Sequence, residues 1–136
     1  MWFSPIRLTL GARMLVFAAV LMFLTGLAHS CLGERYILIR LFKRVDLPQL
    51  FGSTAFTTGT LRFVWHLTTV AWWGLAWLVF IAADDAISRN QVLGVIGVVA
   101  LVSAAFPLHF TRGKHLSWVV FLLVGVLVLL ARGASL

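Results

Sequence analysis

Acidic residues are scarce in this 136-residue chain: there are four, against eleven Lys and Arg, and charged residues of both signs make up only 11%. A soluble domain carries about 25% charged and about 45–50% apolar residues. Here the apolar share is 62%, and too few polar side chains remain to cover a water-soluble fold of this size. Cysteine is nearly absent as well. Cys31 stands alone, which excludes an internal disulfide scaffold and paired-thiol redox chemistry. The four acids, Glu34, Asp46, Asp84 and Asp85, fall at the edges of apolar runs or between them. A proton-coupled exporter needing a carboxylate deep in a helix, and a membrane aspartyl protease needing two, are therefore excluded. No GxxxxGK[ST] or GxGxxG occurs, so nucleotide binding has no support.

What the chain has in abundance is apolar length. Four stretches, at about 14–33, 63–83, 92–111 and 115–131, are each bounded by charged or polar residues. A helix crosses the roughly 30 Å hydrocarbon layer in about 20 residues, with a range of about 17–25. The pattern predicts an all-α membrane protein, a four-transmembrane-helix bundle forming one domain over residues 1–136. The first run is longer than the roughly 7–15-residue core of a signal peptide, and His29 stands where a cleavage site prefers a small residue. It is expected to stay as a helix.

Lys and Arg give the orientation. Arg35, Arg40, Lys43, Arg44, Arg62, Arg112 and Lys114 lie on one side of the predicted topology, and Arg7, Arg13, Arg89 and Arg132 on the other. The excess places the first group in the cytoplasm and both termini outside. Residues 34–46 read as a basic amphipathic helix ended by Leu47-Pro48, lying in the interface within a cytoplasmic segment of about 34–50. Gly52-Ser53-Thr54 through Gly59-Thr60 then supply turn residues, and Tyr36, Trp65 and Trp118 are placed for an aromatic belt. The charge of +7 is spread over short loops, not clustered on one polar face. Its expected partner is the lipid bilayer with its anionic headgroups, and not nucleic acid. Small residues at Gly26, Ser30 and Gly33, at Ala71 and Gly74, and at Gly94 and Gly97 allow close helix approach. They suit a compact bundle, a homo-oligomer or a membrane-protein partner. Pro107 removes the helical donor for the Ser103 carbonyl, and a kink there would redirect His109.

The histidines carry the functional signal. His29, His66, His109 and His115 fall at the four helix ends that an antiparallel bundle brings to one membrane face. The first three lie about 4–8 Å inside the nearest charged boundary, taking 1.5 Å per residue. Imidazoles at one level on separate helices are what a transition-metal or haem site in a bundle core requires. The expected ligands are His66 and His109, then His29 and His115, with Glu34 as a ligand or as the acceptor that orients a ring. On an unbroken helix His29 and Glu34 stand about 140° apart, so joint ligation requires a break at Gly33. The alternative role is a non-catalytic subunit or assembly factor of a larger membrane complex, with the histidines as interface residues. A passive channel would need a polar stripe, and Thr25, Thr68, Thr69 and Ser103 are too few.

His29-Ser-Cys-Leu-Gly-Glu34-Arg35, followed by Leu61-Arg-Phe-Val-Trp-His66-Leu-Thr, resembles a pattern in small bacterial multi-pass membrane proteins of no assigned activity. The likeness covers the first two helices and their loop. It implies a bacterial inner-membrane setting and no particular chemistry.

Overall fold

The computed structural model describes residues 9–84 and 86–134; Arg7 and Asp85 lie outside them. Four helices account for most of the chain: α1 (Leu10–Leu41), α2 (Ala55–Ile81), α3 (Arg89–Phe110) and α4 (Ser117–Gly133). No strand forms among the described residues. α1, α2 and α3 are long and apolar enough to cross a membrane, and α4 is apolar but has 17 residues.

The starts of α1 and α3 have local causes. The Thr9 hydroxyl accepts the Ala12 N–H at 3.1 Å. At α3, Ser88 and Gln91 form a reciprocal capping box, which sets the helix start at Arg89 instead of the expected Val92. α2 begins eight residues earlier than the apolar run suggests, because Gly59 is not a turn residue. A Cβ at Gly59 would lie 2.3 Å from the carbonyl oxygen of Phe110, so glycine here permits α2 to touch the end of α3. The expected separate interfacial helix over 34–46 is not a separate element. Residues 33–41 continue α1, first as a π-helical turn (Gly33–Leu38) and then as a last α-helical turn (Ile39–Leu41). Leu38 is fully buried in this extension while Arg35, Tyr36 and Arg40 are exposed. Pro107 sits inside α3 without ending it, and its carbonyl accepts the Thr111 hydroxyl at 2.6 Å.

The helices pack in chain order. α1 lies on α2, α2 on α3 and α3 on α4, and no other pair comes close among the described residues. The result is an open row in which α1 and α4 each have one helical neighbour. The distribution of side chains is inverted relative to a soluble protein. Buried positions are mostly small, such as Ala12, Ala19, Gly26, Gly74, Ala76, Gly97, Ala100, Ala104 and Gly125, whereas Phe17, Leu24, Trp72, Phe80, Leu127 and Leu130 face outward. Small residues let backbones approach closely where hydrocarbon, not water, surrounds the helices.

Gly59→Ala should therefore cost about 1–3 kcal/mol, because a backbone carbonyl cannot move aside as a side chain can. Gly11→Ala, whose nearest neighbour would be 3.9 Å away, should be neutral or stabilising. Thermal unfolding in one detergent distinguishes them, and equal midpoints would contradict the close approach of α2 and α3.

Candidate functional site: the polar seam between α1 and α2

The two helices meet antiparallel along α2 residues spaced at three and four, a helical stripe. Near the middle of α1, the Trp73 indole N–H donates to the Phe23 carbonyl at 3.1 Å, beside Gly26. Farther along α1, Trp65 repeats the arrangement, donating to the His29 carbonyl at 3.2 Å and lying flat against the His29 ring, with centroids 4.5 Å apart. A Cβ at Gly33 would fall 2.1 Å from the Trp65 Nε1, so only glycine admits this indole. The π turn begins at the same glycine. π turns recur at functional sites, and here the turn follows the one helical carbonyl that must also accept Trp65.

Polar side chains fill the space around Trp65. Ser30 and Glu34, four apart on α1, face Arg62, His66 and Thr69 on α2. Ser30 Oγ lies 2.7 Å from His66 Nδ1 and 2.9 Å from Thr69 Oγ1. Glu34 Oε2 lies 3.3 Å from His66 Nε2, and Arg62 donates to both Glu34 oxygens at 2.8 and 3.2 Å. The chain therefore runs Arg62–Glu34–His66–Ser30–Thr69, from half-exposed to buried: the Arg62 side chain is 34% exposed and Thr69 is 2%. On the flank of this chain, His29 Nε2 pairs with the Thr68 hydroxyl at 2.9 Å.

Hydrogen-bond capacity orders the protons. With Glu34 ionised against Arg62, neutral His66 carries its proton on Nε2 and donates to the carboxylate; Nδ1 then accepts from Ser30, which accepts from Thr69. If His66 is protonated, both ring nitrogens donate. The Ser30 hydroxyl then accepts from Nδ1 and turns its own proton to Thr69. The neutral arrangement satisfies both His66 nitrogens and the Ser30 hydroxyl, whereas a protonated ring would reverse the Ser30–Thr69 bond.

The order Ser30–His66–Glu34 also has the connectivity of nucleophile, base and orienting acid. Acyl transfer further needs donors aimed at a developing oxyanion. Ser30 is in mid-helix, where backbone N–H groups are already bonded within the helix, and its hydroxyl is enclosed by His66 and Thr69. Ser30 therefore lacks the surroundings that acyl transfer requires.

The histidines expected to converge are dispersed. His29 and His66 both face the seam but are bonded to different partners. His109 is exposed with its ring edge against Phe110, and His115 is half-buried between Phe56 and Phe63, with Nδ1 2.8 Å from Ser117 Oγ. Among the described residues no three His, Cys, Asp or Glu side chains gather in a group able to hold a metal. The physical reason lies in the open row and in helix rotation. α1 does not reach α3, and α3 turns Phe106 and Phe110 toward His66, which leaves His109 on another face. Nor does α1 break at Gly33; it widens. Glu34 Oε2 lies 3.3 Å from His66 Nε2, while His29 stays on the Trp65 side. Sequence reasoning passed over Arg62, Thr69 and Trp65 as site residues and saw Ser30 only as a small one. The available signal was Ser30-x3-Glu34 against Arg62-x3-His66-x2-Thr69 on successive helices.

No family model, curated protein or solved structure matches the chain.

Ser30→Ala and Thr69→Val should each destabilise the seam, with a coupling of about 0.6–1.7 kcal/mol between them, the range of hydrogen bonds between membrane helices. A double-mutant cycle on unfolding in mixed micelles measures it; strictly additive costs would mean that the two hydroxyls do not interact.

Proposed function

We propose that this chain is an integral protein of the bacterial inner membrane whose working part is a proton-handling relay in the α1–α2 seam, acting as an accessory subunit to a partner membrane protein. All four helices cross the bilayer, with the Arg62–Glu34 end in the cytoplasm and both termini outside, in keeping with the Lys and Arg excess. The observation that carries the reading is the hydrogen-bonded chain Glu34–His66–Ser30–Thr69, which sets an imidazole between a carboxylate and two hydroxyls. Ionisable groups within a membrane are costly and mark proton or substrate pathways by default.

The accessory role follows from the relay's reach. From Arg62 to Thr69 the chain rises about 10 Å along α2, about a third of the hydrocarbon layer. The next polar group on this face, the Trp73 N–H, is committed to the Phe23 carbonyl and cannot pass a proton on. A relay that enters from one boundary and stops serves a group brought by a neighbour. The open row favours the same conclusion, since α1 and α4 each have one helical neighbour within the chain. A histidine-lined metal or haem site is less well supported, because both nitrogens of His66 are already in hydrogen bonds.

Ring N–H exchange of His66 tests the reading. In 15N-histidine protein in bilayers transferred to deuterated buffer, the His66 N–H should exchange faster than the Trp73 indole N–H. Ser30→Ala should slow that exchange about tenfold, the equivalent of about 1.4 kcal/mol. Exchange of His66 as slow as that of Trp73, or unchanged in Ser30→Ala, would sink the relay.

A further inference from the structure

The end of the protein that holds the relay also carries a feature the relay does not use. After α1 the chain forms a two-residue hairpin turn, in which Leu50 and Ser53 exchange backbone hydrogen bonds across Phe51 and Gly52. Both central residues have positive φ, 55° at Phe51 and 80° at Gly52. Such turns favour Asn-Gly or Gly-Gly, and a bulky aromatic at positive φ is strained. Despite that cost Phe51 is not packed away: it is 72% exposed at the tip. The hairpin itself is held firmly, with Thr57 donating to the Pro48 carbonyl at 2.8 Å and the Phe56 ring edge-on to Phe51. Val45 and Leu50 beside it are exposed too.

One cation stands on this apolar tip, and others lie on the neighbouring segments. Lys114 stands over the Phe51 ring at 5.3 Å, and Arg112, itself at φ 52°, precedes it in the α3–α4 turn. From the end of α1, Arg35 and Arg40 flank Tyr36 at 5.7 and 5.8 Å, followed by exposed Lys43. Arg44 is committed to Asp46, whose carboxyl it holds below the usual carboxylate range, and Arg62 is committed to Glu34. Among the described residues, Arg35, Arg40, Lys43, Arg112 and Lys114 have no carboxylate partner. An exposed aromatic tip held in strain, with Lys114 over it and four more uncompensated cations at the end of α1 and in the α3–α4 turn, is complementary to one environment: an anionic surface above an apolar layer.

We infer that this end is a binding surface for anionic phospholipid headgroups, with Phe51 inserted at the acyl boundary and Lys114, Arg112, Arg35, Arg40 and Lys43 facing phosphates. Strain at Phe51 is offset by burial of the ring in lipid, and the cations are neutralised by the headgroups. The inference rests on membrane insertion and not on the relay.

Native mass spectrometry of the full chain, released from nanodiscs containing equal amounts of phosphatidylglycerol and phosphatidylcholine with the same acyl chains, tests it. The wild type should retain phosphatidylglycerol over phosphatidylcholine by about tenfold or more, since each basic residue near an anionic surface adds to the attraction. The double variant Arg112→Gln/Lys114→Gln should lose most of that preference. Phe51→Gly suits the positive φ and should fold at least as stably, yet should retain less phosphatidylglycerol. Equal retention of the two lipids by the wild type would overturn the proposal while leaving membrane insertion intact. Unchanged preference in both variants would place anionic-lipid binding elsewhere and overturn it too.

Discussion

Glu34 is the residue on which the α1–α2 seam turns. Its carboxylate holds Arg62 through both oxygens and meets His66 through Oε2, and His66 in turn meets Ser30, which pairs with Thr69. α1 has no other helix to lean on, so its rotation and depth relative to the rest depend on this one interface. In an apolar medium there is little hydrophobic force to press helices together, and close packing plus interhelical hydrogen bonds must do it. The seam supplies both, through indoles seated against glycines and a polar chain between them.

That requirement explains a pairing of residue types that looks wasteful by soluble-protein standards. The largest side chains are turned outward and the interior is lined by Ala and Gly. Two tryptophans are the exceptions in the α1–α2 seam, and each has its indole N–H matched to a helix carbonyl. A buried indole without a partner would cost free energy. The carbonyl used by Trp65 lies one turn before the π segment, so the local widening of α1 and the placement of Trp65 belong to one arrangement. The extension beyond it carries Arg35, Tyr36 and Arg40 to the same end as the hairpin tip, which joins the polar seam to the basic rim.

Much of the helical layout was legible from composition and run length. Helix number and the long apolar runs follow from local hydropathy and chain reversal. Boundaries were less legible wherever a residue served tertiary contact. Gly59 reads as a turn residue in sequence and is a contact point with the Phe110 carbonyl in the fold. Residues 34–46 have the periodicity of a surface helix, yet the first part is welded to α1 because Leu38 buries itself. The candidate site was half legible. His66 and Glu34 were singled out, and the helix-four spacing that brings Ser30 into register with them was present but carries no chemistry until the facing helix is known.

Hydropathy depends on each residue and its near neighbours, so the sequence by itself determined that this chain is apolar, helical and basic at its loops, and that its histidines sit near helix ends. Whether those histidines meet depends on the rotation of each helix about its axis, and one residue of rotation moves a side chain by 100°. Only the tertiary structure decided that His66 turns to Ser30 and Glu34, that His109 turns away from them, and that, among the described residues, α2 is the one helix α1 touches. Rotation is set by which small residues admit which large ones across an interface. Gly33 admits Trp65, and with that contact the polar groups on either side fall into line.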